Sequence, residues 1–428
     1  MTMTPGLPER IKQLGVTVNG LPCGSLAQES QVHFRYGRDD ASQPAVGLLM
    51  PPSKLLYQSN ALFPVMDQNL PEGYLFQRIR ECFHKQTLTP FHLLALIGDN
   101  GIGRLGFHLQ HQAPDIAPAP PRPLSRSELL NTDFSPAVFD DLVQSYLSTG
   151  AGVSGMQPKI LVPDRAAIPI PNLIVKAGSA AYPGLAANEF VCLSAARAAG
   201  IQVPPFDLSN DGQILILDRF DITADGSRLG FEDIASLMGL CVRDALSDRK
   251  YRGSYEDIAQ VLKLIQASDH DLNRFFEQVA FTVMVRNGDG HLKNFGVCHG
   301  DGCGVKLSPM FDVVTTAIYR YARIQGGDDL EDRTLALKLF RGKGQTKTYP
   351  ETLELLHFGR TVCGVDQPGE VITRIAAAMS STLAQARTDS RVPAETLAKM
   401  ADMWGHGLQY AREVEAIAMK KHRHRPAT

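Results

Sequence analysis

The chain has 428 residues, 44% apolar and 21% charged, with 37 Gly, 27 Pro and a formal net charge of −2. This apolar content supports several cores, and the length sets a prior of about three folding units. The composition excludes collagen-like and low-complexity chains, and the near-neutral charge excludes a global basic field that would hold nucleic acid. No run of about 18 uncharged apolar residues predicts a membrane span, and residues 1–13 lack the apolar core of a secretory signal. Seven scattered cysteines do not form a disulfide framework, so a reducing cytoplasm is the expected location.

In chain order, Val16-Thr17-Val18 followed by Asn19-Gly20 predicts a strand and hairpin turn, and residues 32–36 alternate like a second strand. Residues 72–85 have helical spacing at Leu75, Ile79, Cys82 and Phe83. Residues 93–97 and 102–109 flank the turn Gly98-Asp99-Asn100-Gly101. Pro114, Pro118, Pro120, Pro121 and Pro123 mark an extended linker. Ser135 as N-cap, with Pro136 at the first helical position, opens a helix running to Leu147. After a glycine-rich loop, residues 159–162 and 173–176 are strand-like. An alanine-rich helix over 185–199 ends at Gly200, and 214–217 is a short apolar strand. Beyond Phe231 the pattern is mainly helical, over 257–267, 271–285 and several segments within 351–415. A β-rich part followed by a helical part predicts two lobes with a cleft between them.

G-x-G-x-x-G occurs twice. Gly101, Gly103 and Gly106 lead into a strand rather than a helix, so a glycine-rich hairpin is the reading, not a dinucleotide site. Gly150, Gly152 and Gly155 also lead into a strand, as the phosphate-covering loop of a kinase does; taken alone, a plain flexible turn accounts for them equally well. Cys298, His299 and Cys303 lack a second ligand pair, and incidental loop cysteines are preferred to zinc. The basic tail 420–425 reads as a solvated terminus before it reads as a DNA contact.

The strongest stretch is Asn287-Gly288-Asp289-Gly290-His291-Leu292-Lys293-Asn294-Phe295, after an apolar helix. Asp289 and Asn294 have the D-x-x-x-x-N offset of a kinase catalytic loop. That spacing suits phosphoryl transfer: the carboxylate orients the attacking hydroxyl and accepts its proton, and the amide oxygen five residues on can bind Mg²⁺. Asp312, in Phe311-Asp312-Val313 after the strand-like run 304–307, is a candidate second metal ligand. An isolated Asp/Asn pair is often just a capped turn. The ordered set of glycine loop, lysine-ended strand, Asp…Asn and a later Asp weakens that alternative. Lys176 closes an apolar strand and can reach nucleotide phosphates as a point charge, with a solvent-facing lysine as the alternative. Glu189 on the following helix is its natural ion-pair partner, unless it is a surface glutamate. Asp218-Arg219-Phe220-Asp221 follows the strand 214–217, where a hinge should fall and the backbone could meet an adenine ring.

These residues together resemble the HipA-type serine/threonine kinases, the toxin half of bacterial toxin–antitoxin pairs. The resemblance covers most of the chain. In the N-terminal part it rests on Val18-Asn19-Gly20, Phe34-Arg35-Tyr36, Asn69-Leu70-Pro71 and residues 93–98. Further on it rests on residues 154–159, Asn188-Glu189, residues 218–221, the specific run 289–295 and Phe311-Asp312-Val313. It implies an α+β, two-lobed protein-kinase-like fold with an added N-terminal α/β subdomain and a helical C-terminal lobe. The implied division is an N-terminal subdomain over 1–112, a Pro-rich linker over 113–124, an N-lobe-like part over 125–221 and a helical C-lobe over 222–428.

The resemblance also implies ATP and Mg²⁺ as cofactors, Asp289 as catalytic base, and Asn294 and Asp312 as metal ligands. Nucleotide binding would fall to Gly152, Val153, Ser154, Gly155, Lys159, Lys176, Asp218, Phe220, His291 and Lys293. Implied partners are a helix-turn-helix, HipB-like antitoxin that contacts operator DNA, so that DNA is met only through it, and a protein substrate such as an aminoacyl-tRNA synthetase. No membrane contact is implied. Two departures bear on autoregulation: Gly152 stands where some members carry a self-phosphorylated serine, leaving Ser154 as the loop-core autophosphorylation candidate, and Pro158 replaces an acidic residue before Lys159. A kinase for a lipid or small molecule is one alternative. A non-catalytic antitoxin co-repressor is another, disfavoured by the joint presence of Asp289, Asn294, Asp312 and Lys176.

Overall fold

The computed structural model describes the chain apart from residues 1–6, 39–42, 72–75, 77–78, 82, 84, 110–124, 134, 136–158, 163–171, 178–181, 243, 301, 303, 323–328, 332 and 424–428. The expected linker, the helix from Pro136, the glycine loop 150–155 and most of the expected helix 72–85 therefore lie outside the described residues. Two compact units emerge: one from 1–179, 205–250 and 296–304, the other from 180–204, 251–295 and 305–428.

The first unit opens with a five-stranded antiparallel sheet, β1 (Gln13–Val18), β2 (Leu21–Gln28), β3 (Val32–Tyr36), β4 (Leu56–Ser59) and β5 (Leu105–Leu109), in the order β4-β3-β2-β1-β5. The predicted hairpin at Asn19-Gly20 forms. Both residues have positive φ, 50° and 74°, as a two-residue turn matched to strand twist requires. The predicted alternation in β3 buries Val32, Phe34 and Tyr36 while Arg35 faces solvent. Leu14, Leu26, Phe34 and Phe107 are fully buried beside the helix Pro90–Ile97, forming the core of this unit.

A second antiparallel sheet joins β6 (Lys159–Val162), β7 (Leu173–Ala177), β8 (Phe206–Leu208) and β9 (Ile214–Asp218) in the order β6-β7-β9-β8. β9 is a continuous apolar run, buried throughout except at Asp218. Beyond the predicted elements, β10 (Gly230–Asp233) pairs with β11 (Gly296–Gly300). Two short strands whose paired residues lie more than 60 positions apart carry no periodicity that a local reading could detect.

The second unit is built on helices α1 (Leu185–Ala198), α2 (Tyr255–Leu264), α3 (Asp269–Met284), α4 (Thr352–Thr361), α5 (Pro368–Ala386) and α6 (Ala394–Arg423). Gly200, at φ 76°, closes α1 as expected. Ser254 and Ser268 cap α2 and α3 by accepting the N–H groups of Asp257 and Asp271 at 3.1 Å. The C-terminal half of α3 is buried nearly all round, from Phe275 and Phe276 to Phe281, Val283 and Met284. α6 lies close against its end: a Cβ on Gly407 would sit 1.9 Å from the Met284 carbonyl oxygen, so only glycine allows that approach. α6 continues through Lys420 to Arg423, so helix rather than a frayed tail occupies most of the basic segment.

Candidate active site

The apolar helix α3 delivers the signature run. Val285 ends it, and Arg286 takes the left-handed conformation at φ 57°. The Asn287 N–H then reaches back to the Thr282 carbonyl at 3.0 Å, and the Arg286 N–H to that of Val283 at 3.3 Å. Glycine usually fills this C-cap position; here Arg286 does, with its guanidinium 4.2 Å from the centroid of the Tyr349 ring. The Asn287 side-chain oxygen accepts the Asp289 N–H at 3.0 Å, an Asx turn that fixes the backbone entering Asp289.

Asp289 presents a side chain that is 48% exposed, open to an incoming group. One of its oxygens, Oδ1, accepts the Tyr251 hydroxyl at 2.7 Å and lies 4.0 Å from His291 Nε2. The Tyr251 ring stands edge-on to His291, with centroids 5.1 Å apart. Beneath the loop, the Gly290 carbonyl accepts the buried Tyr255 hydroxyl at 2.9 Å. A Cβ on Gly290 would meet Thr282 Cγ2 at 2.8 Å, so glycine is needed for this close seating. Burial pushes the Tyr255 phenol well above its ordinary pKa, and the charges of Tyr349 and Asp289 reinforce the shift, so it stays a proton donor to Gly290.

A single turn, Leu292–Asn294, follows. The Asn294 side-chain oxygen accepts the His291 N–H at 3.0 Å, and the His291 carbonyl accepts the Asn294 N–H at 2.9 Å. This reciprocal pair locks Asn294 in place and leaves its amide oxygen a second lone pair. Asp312 adopts φ 53°; with Arg286 it is one of four non-glycine residues at positive φ among the described residues. A left-handed non-glycine residue costs on the order of 1–2 kcal/mol and persists where the surroundings over-determine it.

Downstream of Asp312, Thr315 is fully buried. Its backbone is gripped on both sides by Asn188, which accepts the Thr315 N–H at 2.9 Å and donates to its carbonyl at 3.1 Å. The Trp404 indole donates to Thr315 Oγ1 at 2.8 Å. Burial raises the Cys192 thiol beside them to about 12, which keeps it a neutral donor, its Sγ 3.5 Å from Asn188 Oδ1. Nearer the loop, Lys347 donates to the Tyr251 carbonyl at 2.8 Å; burial first, then neighbouring Lys338, lowers its pKa.

Of the predicted site residues, Asp289, His291, Lys293 and Asn294 thus share one loop of the second unit, with Asp312 in the same unit. Lys176, Asp218 and Phe220 belong to the first unit. Lys176 is buried, 4% exposed, on β7, with Lys159 opposite it in backbone register. Burial excludes the solvent-facing alternative for Lys176, and Glu189, 1% exposed in α1, is not a surface glutamate. Asp218 pairs with Arg126, and the Phe220 ring stands edge-on to Phe231 at 5.5 Å. Gly152, Val153, Ser154 and Gly155 lie outside the described residues. Sequence reasoning missed Tyr251, Thr316, Trp404 and the loop role of Asn287. Only Asn287 carried a signal, an Asn two residues before the key Asp.

No cluster of three or more His, Cys, Asp or Glu able to hold a metal occurs among the described residues. A magnesium ion shared with phosphates needs only one or two carboxylates with further oxygen donors, and the chemistry of Asp312 with Asn294 fits that smaller set. No described helix is long and apolar enough to cross a membrane.

Comparison with known proteins identifies the family and the fold. Residues 14–108 match the HipA N-terminal domain and residues 151–387 the HipA-like C-terminal domain. Among curated relatives, "Putative kinase Y4dM" of Sinorhizobium fredii is 34% identical over 185 residues, covering 40% of this chain and 41% of that protein. "Putative kinase Y4mE" of the same organism is 23% identical over 341 residues, 72% of this chain and 78% of that protein. The HipA chain of a Shewanella oneidensis MR-1 complex of HipA, HipB and operator DNA superposes with a TM-score of 0.69, at 18% identity, over 94% of this chain and 99% of that chain. The α+β fold is that of HipA, and by its two matched domains the chain belongs to the HipA family.

Proposed function

We propose that the protein is an ATP- and Mg²⁺-dependent serine/threonine protein kinase acting as the toxin of a toxin–antitoxin pair. The observation that carries this reading is the exposed Asp289 carboxylate, held by Tyr251 and by the Asn287 turn, five residues before an Asn294 locked by His291. Asp289 orients a substrate hydroxyl and takes up its proton, while the chain around it fixes the carboxylate's direction. Asn294 and Asp312 would hold magnesium, and Lys176 keeps the phosphate-binding role that the family resemblance implies. Magnesium-bound ATP supplies the phosphoryl group and neutralises the charge that develops during transfer.

The relatives named as kinases support the reaction class, and the Shewanella complex supports a HipB-like antitoxin partner that contacts operator DNA. An aminoacyl-tRNA synthetase in the cytoplasm is the substrate class proposed. Ser154 is proposed, on sequence grounds alone, as a self-phosphorylation site. Its phosphate would add about −1.5 to −2 charge beside an anionic site and turn the enzyme off.

The test is incubation of the purified chain with Mg²⁺ and labelled ATP, in one arm with a panel of aminoacyl-tRNA synthetases and in another with a cell lysate that supplies lipids and metabolites. The reading expects label on a serine or threonine of one of them. Label confined to a lipid or metabolite fraction would replace it with a small-molecule kinase.

A further inference from the structure

Two neighbouring threonines face opposite ways. Thr315 is locked into the helical core by Asn188 of α1 and Trp404 of α6, all three fully buried. Thr316 starts a single 3-10 turn, Thr316–Ile318, and its hydroxyl turns to the signature loop. There Thr316 Oγ1 accepts the Gly288 N–H at 2.6 Å and donates to the Arg286 carbonyl at 3.3 Å. One hydroxyl therefore spans the left-handed C-cap of α3 and the residue before Asp289.

We propose that Thr316 is a positioning residue for Asp289, coupling the Asp312 segment to the signature loop through the Gly288 N–H. This rests on the reading of Asp289 as the general base. Three structural features make the link more than a local turn contact. The strained Arg286 cap leaves its carbonyl and the Gly288 N–H outside the α-helical ladder, and Thr316 is a partner to both. Thr316 supplies donor and acceptor together, its O–H to the Arg286 carbonyl and a lone pair to the Gly288 N–H. Thr316 itself cannot drift, because the preceding residue is held on its backbone and its side chain by Asn188 and Trp404. Its distance from Asp312 is four residues, so the loop carrying the base and the segment carrying the proposed metal ligand share this one anchor. Displacement of a catalytic group by about 1 Å can cost up to about 10²-fold in rate.

Thr316→Val keeps the shape and removes the hydroxyl; Thr316→Ser keeps the hydroxyl. Thr316→Val is expected to lower kcat by about 10- to 100-fold with the KM for ATP within about twofold, and Thr316→Ser to return kcat to within about threefold of wild type. A kcat for Thr316→Val equal to wild type, or a loss that Thr316→Ser does not rescue, overturns the proposal. A readout independent of turnover is amide exchange of the segment holding Gly288. It should quicken in Thr316→Val and stay slow in Thr316→Ser; unchanged exchange in Thr316→Val overturns the proposal even if the protein transfers no phosphate. Failure of the kinase reading shows separately, as full activity in Asp289→Ala.

Discussion

The phenol of Tyr251 donates a 2.7 Å hydrogen bond to Oδ1 of Asp289, a carboxylate that remains half-exposed. The bond favours one orientation of a carboxylate whose side chain is 48% exposed. Tyr251 is itself held: Lys347 donates to its carbonyl, and its ring rests edge-on against His291.

Tyr251→Phe removes this bond with little change in volume. It should lower kcat about tenfold, equivalent to about 1.4 kcal/mol in the barrier, with the KM for ATP nearly unchanged. Steady-state kinetics on a labelled peptide or protein acceptor measures this. A rise in KM with unchanged kcat would assign Tyr251 to substrate binding instead.

Asp312 calls for an unusual probe. At φ 53° an alanine would add strain, whereas glycine accepts the conformation and removes only the carboxylate. Asp312→Gly should therefore fold normally, and Asn294→Ala is its comparison. In both, Mg²⁺ should no longer strengthen ATP binding measured by calorimetry, while Mg²⁺-free binding stays close to wild type. Equal affinity with and without Mg²⁺ in the wild type would remove the metal role from both residues.

Much of this site was legible from sequence, for a definite reason. The run 287–295 is contiguous, and its chemistry depends on offsets of two to five residues within one turn. The hairpin at Asn19-Gly20 and the end of α1 at Gly200 were legible in the same way, because each is fixed by a residue able to adopt positive φ. Tyr251 lies 38 residues before Asp289, and Trp404 lies 89 residues after Thr315, so their contacts are products of tertiary packing. Arg286 shows the opposite limit. A left-handed C-cap predicts glycine, and here packing of the guanidinium on Tyr349 accompanies an arginine in its place.

The first unit carries a buried ion pair whose removal should be costly. Arg219 bonds both oxygens of Asp221 and the Gly101 carbonyl, while Asp221 also accepts the Gly103 N–H at 2.7 Å; the two side chains are 0% and 1% exposed. Asp221→Ala takes the carboxylate away from a buried guanidinium and the acceptor away from the Gly103 N–H, which typically costs about 3–5 kcal/mol. Urea unfolding should register that loss. The double variant Arg219→Met with Asp221→Ala should lose less than Asp221→Ala alone, because no buried charge is stranded.

The most direct measurement of the central claim is phosphoryl transfer by the purified chain and its Asp289→Ala variant, side by side, with Mg²⁺ and labelled ATP. A general base contributes about 10²–10⁴ in rate, and a half-exposed loop carboxylate contributes little to the core. The account predicts label transfer by the wild type, a loss of at least about 100-fold in Asp289→Ala, and matching thermal unfolding of the two proteins. Equal transfer by wild type and Asp289→Ala would contradict it.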